Sequence, residues 1–162
     1  RRSSAASDVY KRQIRRIIME ELAIQSAMFE IGLWDTYQTG RGANASVGIA
    51  MVIAVWVAAR FSSVAMEKGV NLVGKIILTA FAASVALGGI GLVETVDAVW
   101  VGHADALAGL DVANGDIDLS AGSQLYIDLN SESNVLRKTM GYVFYVAGFL
   151  IATVQLWFDT TK

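Results

Sequence analysis

Three stretches of this chain, residues 42–59, 76–93 and 139–158, contain no Asp, Glu, Lys or Arg. A helix that crosses about 30 Å of hydrocarbon needs roughly 20 mainly apolar residues, and a charge at its centre costs at least about 2.5 kcal/mol. A soluble helix keeps one face polar, so it has no reason to exclude charge from every face over such a length. The sequence therefore predicts an all-α membrane protein with three transmembrane helices, over about 45–61, 72–93 and 139–158. Composition agrees, because 54% of the residues are hydrophobic and only 17% charged, against about 25% charged in soluble domains.

The same composition excludes several kinds of chemistry. A formal net charge of −2 offers no basic surface, so no nucleic-acid partner is expected. With no cysteine, disulfides, thiolate catalysis and iron–sulfur clusters are ruled out. With no proline, the spans lack the commonest cause of a helix kink.

Residues 1–13, RRSSAASDVYKRQ, are polar and basic and resemble translated sequencing-adapter sequence. Residues 1–18 are accordingly expected to be a non-native or disordered leader, with Met19 as the native start. A secretory signal does not fit, because Glu20, Glu21 and Glu30 interrupt the apolar run that follows. Over 19–40, Ile24, Ala27, Met28, Ile31 and Trp34 recur at steps of three and four between acidic positions. That spacing predicts an amphipathic interfacial helix, ended by Thr39, Gly40 and Gly42.

Lysine and arginine set the expected orientation. Arg60, Lys68 and Lys75 border the short link between the first two spans. Residues 95–138 hold Asp97, Asp105, Asp111, Asp116, Asp118, Asp128 and Glu132 against only Arg137 and Lys138. Short cytoplasmic loops are enriched in Lys and Arg, so the chain is expected in the cell's inner membrane with its N-terminus out, the acidic segment out and its C-terminus in.

Small residues at helical spacing mark expected packing stripes: Ala50, Ala54 and Ala58; Ala80, Ser84 and Gly88; and Gly148 and Ala152. Such residues let helix backbones approach closely in lipid, either within one bundle or between copies. On this reading Ala82 faces lipid. The cluster Gly88, Gly89 and Gly91 reads as a hinge or as close packing.

The acidic segment is where a site would lie. Val99, Trp100, Ala104, Leu107 and Leu110 predict a short helix on the bilayer. Asn114-Gly115 and Ala121-Gly122, with alternating Ile117, Leu119, Leu125, Ile127 and Leu129, predict a β-hairpin or a pair of short extended strands within 111–129. Ser133 or Asn134 is placed to cap the third span. Asp111, Asn114, Asp116 and Asp118 are candidate calcium ligands, although DVANGDIDL departs from the EF-hand spacing. His103, the only histidine, lacks the further nitrogen or sulfur ligands that a transition metal needs and is expected at the surface.

No nucleophile motif, phosphate-binding loop or intramembrane acid is present, so neither catalytic residues nor a cofactor is expected. These features point to an accessory or structural subunit of a larger membrane complex, whose partners are the lipid bilayer and other membrane subunits or itself. The alternative is a self-assembling holin-like pore-former, which its size, three spans and orientation resemble.

Overall fold

In a computed structural model, which describes residues 2–158, the chain forms four α-helices and, among the described residues, no strand. They are α1 (Arg2–Glu67), α2 (Leu72–Asn114), α3 (Ala121–Asn130) and α4 (Val135–Trp157). α1, α2 and α4 are long and apolar enough to cross a membrane. They contain the three charge-free stretches, apart from Phe158, which follows the last residue of α4 as its C-cap. Residue 1 of the expected leader and the terminal DTTK of 159–162 lie outside the described residues, while residues 2–18 belong to α1.

Three sequence expectations are corrected. The amphipathic helix over 19–40 is not a separate element, because Thr39, Gly40 and Gly42 sit inside the unbroken α1. A glycine inside a helix costs only about 1 kcal/mol relative to alanine, too little to stop a ladder that no proline interrupts. Likewise, α2 runs past Glu94 and Thr95 to Asn114, so the short helix expected over 96–110 is its continuation. The expected β-hairpin over 111–129 is also absent. Residues up to Asn114 finish α2, Gly115 turns the chain at φ +63°, and α3 follows. Leu125 and Leu129, which read as alternation, stand four apart on the exposed side of α3. The Ser120 side chain accepts from the Ser123 N–H as the N-cap of α3, so this segment has helix-start chemistry that outweighs its strand-like pattern.

The chain divides into two compact units, and α1 and α2 each contribute residues to both. The unit comprising Thr39–Trp100 and the residues from Glu132 onward holds all three predicted spans. Ala58, Ala82 and Ala152, one from each long helix, form its buried centre with Ala59 and Phe149 packed alongside. Ala82 therefore lies in the core at 2% exposure, not toward lipid. Glycines set how closely α4 approaches its neighbours. A Cβ on Gly148 would come within 2.5 Å of Val55, one on Gly141 within 2.5 Å of Val93, and one on Gly89 within 2.2 Å of the Tyr145 ring. Close contact of this kind replaces the hydrophobic drive that is absent between helices in lipid. Polar ties add to it: Ser63 donates to Gln155 Oε1 at 3.1 Å, and Trp157 Nε1 donates to Thr79 at 3.0 Å. Gly69, at φ +72°, makes the turn between α1 and α2, a conformation costly for other residues.

Candidate functional site

The unit formed by residues up to Gln38 and Val101–Ser131 contains the densest polar and aromatic cluster. Glu30, Trp34 and Tyr37 are spaced i, i+4, i+7 on α1 and share one face. Ser123, Tyr126 and Asn130 repeat similar spacing on α3, and α2 supplies His103 beside buried Ala104 and Leu107.

His103 is 7% exposed, which corrects its expected place at the surface. Its ring stacks on Tyr37 with centroids 4.2 Å apart and planes 6° from parallel. Trp34 and Tyr126 meet it edge-on at 4.7 Å and 5.1 Å. The imidazole thus fills a box of three aromatic rings, and Tyr126 closes the box by donating its hydroxyl to Tyr37 at 2.7 Å. His103 Nε2 is buried without a hydrogen-bond partner among the described residues. Burial pushes the imidazole pKa down, because an apolar site disfavours the charged ring.

Glu30 joins α1 to the start of α3. Its carboxylate accepts from the Ser120 N–H at 3.2 Å, from the Ser120 hydroxyl, and from the Ser123 hydroxyl at 2.5 Å. Trp34 Nε1 donates to the same Ser123 oxygen at 2.8 Å. Partial burial raises the Glu30 pKa, but the hydrogen bonds from Ser120 and Ser123 outweigh it and hold the carboxyl below its usual value. An anion at a helix N-terminus also meets the positive end of the helix dipole.

A second polar cluster lies in the other unit. Asp97, 4% exposed, accepts from the Ser133 hydroxyl at 2.5 Å, the Asn134 N–H at 3.3 Å and Arg137 Nη2 at 2.5 Å. Burial raises its pKa, yet these hydrogen bonds and the charge of Arg137 leave it below the usual carboxylate value. Asn134 caps α4 by accepting from the Arg137 N–H at 2.9 Å, as its position in the sequence predicts. The Arg137 guanidinium lies 4.1 Å from the Trp100 ring centre, and that of Arg41 lies 5.7 Å from it. Lys138 pairs with Glu94 at 2.6 Å, and the Tyr142 hydroxyl donates to the same carboxylate.

The calcium candidates are not brought together as a site. Asp111 accepts from Gln124 Nε2 at 2.9 Å and from the Leu119 N–H at 3.4 Å. Asn114 donates to Ser26 at 2.6 Å. These contacts fasten the loop, while Asp116 and Asp118 are exposed. Among the described residues no three His, Asp or Glu side chains are grouped to hold a metal ion.

Of the packing stripes, Ala58, Gly148 and Ala152 are buried and Ala54 is half-buried, whereas Ala50, Ala80, Ser84 and Gly88 are exposed. The buried face of α2 runs instead through Ala82, Val85, Ala86 and Gly89. Both polar clusters escaped the sequence reading. The only signal for the first was that Glu30, Trp34 and Tyr37 share one helix face, and nothing local tied them to His103. No protein family, curated protein or solved structure matches the chain.

Proposed function

We propose that the protein is an accessory or structural subunit of a larger complex in the inner membrane, without catalysis of its own. The observation that carries this reading is the fate of its polar groups. Glu30, Asp97, Glu94, Asp111 and Asn114 each hold one helix or loop to another. A reacting group needs a nucleophile, base or metal within hydrogen-bond reach, and these side chains are instead engaged in joining elements.

The spans support the reading from outside. Val47, Ile49, Val52, Ile53 and Trp56 on α1 are each about half or more exposed, which leaves a broad apolar face for lipid or for partner helices. On α4, Val143, Phe144 and Ile151 are exposed as well. Apolar outer faces favour packing over lining a water-filled channel, so they support a subunit in preference to a holin-like pore. The distribution of Lys and Arg supports an N-out, C-in orientation.

Photo-crosslinking in intact cells tests the proposal. A photoreactive residue at Val52 or Trp56 is expected to give discrete protein adducts, either to another membrane subunit or to a second copy. Lipid adducts alone at both positions would overturn it.

A further inference from the structure

We propose that α3 is an acid-released lid: protonation of His103 lifts α3 from α1 and α2 while those two helices stay folded, and this uncovers the aromatic box. The imidazole sits where the three elements meet, with Trp34 and Tyr37 from α1 and Tyr126 from α3 against it. Its Nε2 is buried with no hydrogen-bond partner among the described residues. An imidazolium has two N–H donors to satisfy, and a buried charge without a partner is costly. No acid in the unit stands ready to pair with it. Glu30, the carboxylate on the same face of α1, is already held by Ser120 and Ser123. Arg41, one turn beyond Tyr37, carries the same charge as an imidazolium. The titratable groups against the ring are the Tyr37 and Tyr126 phenols, while Asp128 on α3 and Asp105 on α2 are exposed. Burial alone lowers the imidazole pKa, with no charged neighbour contributing.

Of the three elements, α3 is the one that yields. It has 10 residues, and an isolated helix shorter than about 12–15 residues is marginal in water. α1 and α2, with 66 and 43 residues, are continuous ladders. Residues 115–120 and 131–134, on either side of α3, belong to no helix, so α3 is free to move as a unit. Side-chain ties hold it closed: Tyr126 to Tyr37, Ser120 and Ser123 to Glu30, and Gln124 to Asp111. Because Tyr126 covers the ring from α3, lifting α3 lets water reach the imidazolium without breaking either long helix. In the closed state the ring resists the proton, whereas in the open state it titrates at its ordinary value of about 6.5. Opening therefore takes up a proton, and the opening equilibrium rises about tenfold between about pH 7.5 and about pH 5.5.

Hydrogen–deuterium exchange of the full chain in lipid nanodiscs tests the lid, because it reads opening element by element. After correction for the pH dependence of intrinsic amide exchange, amides of residues 124–130 are expected to exchange about tenfold faster at about pH 5.5 than at about pH 7.5. Those of residues 26–38 on α1 are expected to stay within about twofold over the same interval. His103→Phe keeps a ring in the box but cannot take up a proton, and it is expected to remove the pH response of α3. Asp128→Asn, which neutralises an exposed acid on α3, is expected to keep the tenfold response. Equal acceleration of α1 and α3, an α3 rate indifferent to pH, or a wild-type response in His103→Phe would each overturn the proposal.

Discussion

His103 shows how far one side chain's environment departs from what its neighbours in sequence suggest. VWVGHADAL places it among small and apolar residues, but its partners Trp34, Tyr37 and Tyr126 come from elsewhere in the chain. Because burial lowers its pKa, the folded chain keeps the ring neutral at a pH where the unfolded chain already protonates it. The unfolded state then binds more protons, so stability falls as pH drops below about 6.5, the ordinary imidazole value. Glu30 and Asp97, whose pKa values are lowered, keep their stabilising effect until pH falls below about 4. The interval between those values belongs to His103, the chain's only histidine. Thermal unfolding in detergent should show the wild type losing stability between about pH 7 and about pH 5, and His103→Phe losing much less over the same interval. Equal slopes would mean that the box tolerates the imidazolium.

At the scale of elements, the spans were legible because exclusion of charge is a property of the local sequence. The cap of α4 was legible for the same reason, as Asn134 illustrates. Where α1 and α2 continue was not legible. Gly40, Gly42 and Thr95 are residues that often end helices, yet each stays helical because the bonded ladder on both sides costs more to interrupt than one glycine or threonine does. The packed face of α2 was misplaced by two residues. Stripes at 80, 84, 88 and at 82, 86, 89 are equally small, and only the positions of α1 and α4 distinguish them. Gly89 and Gly91 separate close packing from mere flexibility. A methyl at Gly89 would strike the Tyr145 ring, and Gly89→Ala is expected to cost about 1–3 kcal/mol of stability in detergent. Gly91 has open space around its missing Cβ, so Gly91→Ala should be neutral or stabilising by up to about 1 kcal/mol. Equal losses at both sites would show that helix flexibility, not contact with Tyr145, is what the glycines provide.

For the whole molecule, the central claim is that α2 crosses the bilayer and therefore puts its two ends in different compartments. Lys68, in the turn before α2, and Asp118, in the loop after it, are both exposed and both outside the helices. The chain has no native cysteine, so single cysteines at these positions can be read without background. Reaction with a membrane-impermeant thiol reagent in intact cells, compared with cells opened by detergent, measures the topology directly. The account predicts that Asp118→Cys is labelled in intact cells and that Lys68→Cys is labelled only after opening. The reversed pattern would invert the proposed orientation while leaving the spans in place. Labelling of both positions from the same side would contradict the account, because α2 would then not cross the membrane.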